Sequence, residues 1–262
     1  MDEPRGLELG TVARMERIWP ADDPVPPIEA APTAVAAHVS RPRVPPAGRP
    51  WVMTNMVASL DGAATRDGRS GGLGGPGDRT VFHALRELPD AILVGASTVR
   101  TERYRPPAPR PDGVRPRLAI VSGSLDLPTD LPCLADAPED ARPWVLTGVD
   151  HDPARADALA DHAEVVVAGA EGTAGVDAWA ALAALADRRV GLVLCEGGPQ
   201  LLGELLAADL VDEWFLTVGG LVVGGDARRV ATGTPPLDQR FRLSSVLRDT
   251  DDVLLAYVRA RA

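Results

Sequence analysis

Lysine is absent from all 262 residues, and the absence removes whole mechanisms. No Schiff-base lysine can form, no P-loop lysine can reach a phosphate, and every fixed positive side chain is an arginine fork. Cysteine is nearly absent too. Cys133 and Cys195 cannot frame a disulfide-stapled domain, which predicts a cytoplasmic setting. His38, His83, His151 and His162 lie scattered without metal spacing, and no HxE precedes a PCxxC. A zinc deaminase or zinc hydrolase therefore has no ligand set, and no metal is expected. No apolar run approaches the roughly 20 residues that span a bilayer, and no basic-then-apolar leader opens the chain. A net charge of −10 argues against nucleic acid and acidic membrane surfaces as partners.

What is present changes character near residue 50. Residues 1–50 form a Pro/Ala-rich N-terminal extension, in which Pro20, Pro24, Pro26, Pro27, Pro32, Pro42, Pro45, Pro46 and Pro50 interrupt any long period. This predicts a surface-wrapping arm with one short helix around Leu7 to Ile18. Residues 51–262 alternate β-branched runs with Ala/Leu-rich segments. Strands are expected at Trp51–Val57, Ala91–Val94, Arg117–Val121, Trp144–Leu146, Glu164–Val167 and Val190–Leu194. Helices are expected near Asp78–Leu88, Pro153–Ala160, Val176–Asp187 and Pro199–Ala207. Such alternation implies an α/β fold with a mainly parallel central sheet flanked by helices, ligands gathering at the carboxyl ends of its strands. After Asp209 the order changes: Val211–Val218, Arg240–Arg248 and Val253–Arg259 read as antiparallel C-terminal strands, the last two a hairpin.

Three strand ends combine glycine with hydroxyl or acidic residues. The first is Cys195-Glu196-Gly197-Gly198-Pro199-Gln200-Leu201-Leu202, where paired glycines open a helix and leave bare N–H groups for a phosphate, with the Glu196 carboxylate beside them. The same glycines also suit a tight packing turn. The second is Ser59-Leu60-Asp61-Gly62 followed by Arg69 to Asp78, with five glycines between Gly71 and Gly77; Asp78 suits a helix N-cap. It lacks both Rossmann and P-loop spacing, and a flexible surface loop would read alike. The third is Gly95 to Glu102, where Thr98 offers a hydroxyl at a helix start and Glu102 lies one turn on. Glu102 alone is equally a solvated carboxylate. Together the three describe a continuous cleft.

These residues resemble the reductase domain of the riboflavin-biosynthesis deaminase/reductase enzymes, in the dihydrofolate reductase-like superfamily. The resemblance runs through Val57-Ala58-Ser59-Leu60-Asp61-Gly62, the Phe82 to Arg86 segment, Asp90 to Arg100, Glu196-Gly197-Gly198-Pro199-Gln200-Leu201 and Leu210-Val211-Asp212-Glu213. It implies a dihydrofolate reductase-like pyrimidine reductase domain over residues 51–262, NADPH as cofactor, a small-molecule pyrimidine or pterin substrate, and a homodimer. Carried over residue by residue, it places NADPH against Val57, the Gly71 to Gly75 loop including Gly72, Leu73 and Gly74, Thr98, and Gly197 to Leu202. Ser122 becomes a candidate for the 2′-phosphate. Ser70, Arg86, Glu102 and Glu196 would face substrate, and a cis peptide at Gly197-Gly198 would be in keeping.

Reducing a carbon–nitrogen double bond needs a hydride at carbon and a proton at nitrogen, and Asp61 and Glu102 are the candidate acids. Arg86 suits a substrate anion or, alternatively, a helix salt bridge. The chain departs from the family where Asp-Asp-Pro and a downstream basic residue are usual, reading Glu102-Arg103-Tyr104-Arg105-Pro106-Pro107 instead. The expected activity is reduction of a ribosylamino-pyrimidine by a stand-alone reductase lacking the deaminase half. The competing expectations are a dihydrofolate or other pterin reductase and a non-catalytic nucleotide-binding protein.

Overall fold

In the computed structural model of the protein, the described residues are 14–19, 28–29, 31–169 and 175–260. Strands β1 (Arg14–Trp19) and β2 (Ile28–Glu29) precede helix α1 (Pro32–Val39). Then follow β3 (Trp51–Ser59), α2 (Pro76–Arg86), β4 (Ala91–Gly95), α3 (Ala96–Glu102) and β5 (Arg117–Val121). The middle of the chain adds α4 (Pro132–Ala135), β6 (Trp144–Thr147), α5 (Pro153–Leu159), β7 (Glu164–Val167), α6 (Ala178–Asp187), β8 (Leu192–Cys195) and α7 (Pro199–Ala207). The last strands are β9 (Glu213–Gly219), β10 (Phe241–Asp249) and β11 (Asp252–Arg259).

The eleven described strands form one sheet in the order β2-β1-β10-β11-β9-β3-β8-β4-β5-β6-β7. From β9 to β7 every neighbouring pair is parallel, and from β9 outward through β11, β10, β1 and β2 every pair is antiparallel. The expected mainly parallel sheet with antiparallel C-terminal strands is therefore present, with one correction. The first of the three late strands, β9, lies parallel to β3 and antiparallel only to β11. Helix α7 carries the chain back across the sheet between β8 and β9, and a helical crossover delivers a parallel strand.

Both faces of the sheet are packed. On β4, Ala91 and Leu93 join the core under α6 and α7, while Ile92 and Val94 join the opposite core with α3, α4 and α5. Period-two alternation thus buries the whole strand. A third core holds Met53, Leu194 and Phe215 against α1 and α2 residues Val35, Ala36, Val81, Ala84 and Leu85.

The N-terminal segment differs from expectation. Of the helix expected over Leu7 to Ile18, residues 7–13 lie outside the described residues, and residues 14–18 belong to strand β1. Edge pairing with β10 satisfies this backbone, and Met15 is fully buried while Ile18 is largely exposed. The helix lies later, at α1, where Pro32 occupies the first turn that tolerates proline and Ala34 to Ala37 supply helix-forming residues.

Candidate active site

The carboxyl ends of β3, β4, β5 and β8 open onto two joined clefts, one of about 520 Å³ and one of about 400 Å³. Their shared wall is Ser97, Gly198, Pro199 and Arg228. Helix α7 starts there: Gly198 is its N-cap without a side-chain cap, and Pro199 has no N–H to offer. Gly197 has φ +87°, the Gly197–Gly198 peptide is cis as anticipated, and the Gly197 carbonyl accepts from Gly95 N at 2.8 Å. At Gly198 a Cβ would stand 2.6 Å from Thr98 Oγ1, so any larger residue would displace the Thr98 hydroxyl.

Glu196 forms the floor of the main cleft. Its side chain is 2 % exposed, and Arg86 grips it with a fork, Nε to Oε1 at 2.7 Å and Nη2 to Oε2 at 2.6 Å. The Tyr104 hydroxyl donates to Oε2 at 2.7 Å. Arg86 lies 4.2 Å from the Phe82 ring centre and 5.5 Å from that of Tyr104. Burial opposes the Arg86 charge, but the Glu196 carboxylate outweighs it and the pKa rises. Burial, seconded by the Glu196 charge, pushes the Tyr104 hydroxyl well above its usual range, so it stays a neutral donor.

Opposite stands Glu102, whose Oε1 accepts from Ser70 N at 2.9 Å and Ser70 Oγ at 3.0 Å. The helix carboxylate at the end of α3 thereby fastens the glycine loop to the cleft. The loop's other side is anchored by Asp252 Oδ2, which accepts from Gly75 N at 2.5 Å. Asp78, expected as an N-cap, instead lies in the first turn of a helix capped by Gly75, and lines the cleft. Burial raises its pKa, with the nearby Asp252 charge adding to the effect.

Of the residues expected from sequence, Val57, Ser70, Gly72, Gly74, Thr98, Glu102, Glu196, Gly198 and Pro199 line the main cleft, and Ser122, Gln200 and Leu201 line the second. Gly75 and Gly197 support the walls through backbone bonds. Leu73 and Leu202 require correction, because they are 2 % and 0 % exposed and line neither cleft. Arg86, expected to face substrate, is committed to Glu196 and is not among the cleft-lining residues.

Asp61 requires the largest correction. It is exposed and does not line either cleft. Its carboxylate accepts from Ser59 Oγ at 2.5 Å, Gly224 N at 2.7 Å and Val223 N at 3.1 Å. The Ser59 hydroxyl first, then the two amides, hold its pKa down to about 2, so it has no proton to donate near neutral pH. Cys195, which ends β8, has its thiol pushed up to about 12 by burial and is no nucleophile.

Several lining residues were not anticipated. Asn55 sits two positions before Val57 on β3, so strand period alone could have found it. Tyr104 stands in the Glu102 to Pro107 run where the chain departs from the family pattern, and no motif marks it. Arg228 lies in the glycine-rich link between β9 and β10, where no periodicity marks it. Among the described residues, no group of three or more His, Cys, Asp or Glu could hold a metal ion, and no helix is long and apolar enough to cross a membrane.

The family model for the RibD C-terminal domain matches residues 50–255. The chain is 34 % identical over 191 residues to a 2,5-diamino-6-ribosylamino-4(3H)-pyrimidinone 5′-phosphate reductase from Methanothermobacter thermautotrophicus, covering 71 % of this chain and 85 % of that relative. It is 29 % identical over 218 residues to the riboflavin biosynthesis protein RibD of Mycobacterium tuberculosis, covering 80 % of this chain and 55 % of RibD. Among solved structures, a pyrimidine reductase-like protein from Corynebacterium diphtheriae superposes with a TM-score of 0.72 at 26 % identity, over 81 % of this chain and 93 % of that one.

Proposed function

Because the chain belongs to the RibD C-terminal domain family, we propose that it is a riboflavin-pathway reductase that uses NADPH to reduce a ribosylamino-pyrimidine 5′-phosphate. The observation that carries this reading is the meeting of two clefts at Gly198 and Pro199, giving room for a dinucleotide that crosses from the second cleft into the main one and for a pyrimidine beside its nicotinamide end in the main cleft. Two features fit that group. Ser122 Oγ is buried at the second cleft without a hydrogen-bond partner among the described residues, and Gly198 leaves bare backbone where a side chain would fill the cradle.

When bound, NADPH supplies the hydride for the acceptor carbon of the carbon–nitrogen double bond. The chain's residues do the rest. Gly198 to Leu201 hold the diphosphate at the start of α7, where unpaired N–H groups point outward. Glu196, fixed by Arg86 and Tyr104, presents acceptor oxygens to pyrimidine N–H donors. Glu102 passes a proton from solvent to the nitrogen as the hydride reaches the carbon. Among the described residues both hydrogen bonds it accepts go to Oε1, which leaves Oε2 for this task. The reading includes a cytoplasmic homodimer, which sedimentation tests.

Loss of reduced-nicotinamide absorbance is the test, with purified protein given the diamino-pyrimidinone ribosylamine phosphate, its uracil counterpart and dihydrofolate in parallel. Turnover with either pyrimidine and none with dihydrofolate is expected. Turnover with dihydrofolate alone, or NADPH binding without turnover of any of the three, overturns the reading.

A further inference from the structure

We infer that Arg228 clamps the dinucleotide diphosphate from the side opposite α7, on a strap of residues 220–232 that Asp61 holds in place. This rests on the proposed cofactor. A ligand running through both clefts must pass their junction, and the middle of a dinucleotide is its diphosphate. Arg228 is the arginine that lines both clefts; Arg79 lines only the main one and Arg100 only the second. Arg100 also spends Nη1 on the Asp126 carbonyl at 2.5 Å. Among the described residues, no hydrogen bond or ion pair engages the Arg228 guanidinium, although other arginines of this chain are tied to carboxylates. A chain without lysine has few other cations to meet a charge of this kind at that place.

The strap is tied down at both ends of its crossing. At the start, Asp61 accepts from Val223 N and Gly224 N, and Leu60 N donates to the Leu221 carbonyl at 2.8 Å. In the middle, the Arg228 carbonyl accepts from Ala64 N at 2.7 Å. At the end, Thr232 N donates to the Pro199 carbonyl at 3.0 Å, so the strap is fastened to the first turn of α7 itself. Arg228 therefore hangs from a backbone referenced to the same helix start that receives the diphosphate. Asp226, also on the strap, lines only the main cleft and stays off the junction. Asp61 is a positioning residue here: it touches neither ligand, and acts through two amides.

Calorimetric titration of the ligand-free protein tests this, with NADPH, NADH and inorganic pyrophosphate as probes. Arg228→Met is expected to weaken NADPH and NADH by a similar factor, about tenfold or more, and to abolish the pyrophosphate signal. Arg228→Lys should recover part of it. Asp61→Asn should weaken NADPH less, and the double variant should fall short of the product of the two single effects, because both act through one strap. Unchanged affinity in Arg228→Met, or a loss confined to NADPH that marks contact with the 2′-phosphate, overturns the clamp. Failure of the parent protein to bind NADPH at all overturns the proposed function instead. Circular dichroism melts identify any variant that has lost its fold, in which case salt dependence of NADPH binding in the parent and in Arg228→Lys decides. A slope unaltered between them and near zero speaks against a cation at the diphosphate.

Discussion

At the scale of single residues, the cleft turns on which carboxylates are held charged and by what. Glu196 is almost fully buried, and a buried carboxylate persists only with its charge paired. Arg86→Ala leaves it unpaired and is expected to cost about 3–5 kcal/mol in urea unfolding. Tyr104→Phe removes one charge-assisted bond and should cost about 1.5–3 kcal/mol, while raising KM more than it lowers kcat. Glu102→Gln separates chemistry from binding: kcat should fall about 100-fold or more with NADPH affinity unchanged in calorimetry. Equal kcat in the two proteins removes Glu102 from the proton path.

Asp61 yields a pH prediction with a definite sign. Its folded pKa is depressed to about 2 by Ser59 and the strap amides, so its contribution to stability is present above the unfolded value near 4 and is lost as pH falls through about 2. The melting temperature of the parent should exceed that of Asp61→Asn by a constant margin from pH 5 to about 8 and converge with it toward about pH 2. A margin that persists at the acid end would show that the charge is not what the strap uses. Sequence order gave no means of seeing this, because the amides that capture Asp61 lie more than 160 residues away, at Val223 and Gly224.

At the scale of elements, the legible parts are those whose signal is local. The strand Arg117–Val121 and the helix Pro199–Ala207 have the expected ends, since β-branched runs and a Gly-Pro start are written into neighbouring residues. The direction of β9 was not legible, because parallel and antiparallel partners demand the same alternation and only the crossover by α7 decides. Helix α1 was hidden by the prolines around it, and β1 by its dependence on the distant β10 and the two-residue β2 for its ladder. Gly72, Gly74 and Gly198 lie at the clefts whereas Leu73 and Leu202 turn inward, because a motif does not say which of its side chains face the interior. Gly203 on α7 shows the cost of such a turn. A Cβ there would stand 1.9 Å from the Thr232 carbonyl of the strap. Gly203→Ala is expected to destabilise the fold by about 1–3 kcal/mol through backbone displacement, and limited proteolysis should then cut between residues 220 and 240.

At the scale of the whole molecule, the segment before Trp51 is joined to the domain through charge as well as strand pairing. Arg49 forks onto Asp212 at 2.6 and 2.9 Å, with side chains 3 % and 1 % exposed, and Asp212 also accepts from Val52 N. Arg43 forks onto the adjacent Glu213, which receives Arg41 as well and Trp51 Nε1 at 3.2 Å. These two carboxylates stand where β9 begins, between the parallel half of the sheet and the antiparallel half. A chain beginning at Trp51 loses both guanidinium forks, leaves Asp212 and Glu213 buried without them, and exposes the β10 edge that β1 covers. It also removes Met15, Val35 and Ala36 from the third core. Such a chain is expected to melt well below the full protein and to self-associate in sedimentation, even though it retains the cleft-lining residues. Asp212→Asn with Arg49→Met in the full chain separates the two causes: it removes the buried ion pair yet keeps an acceptor for Val52 N, so a loss of stability much larger in the shortened chain than in this double variant assigns the excess to the uncovered edge and core.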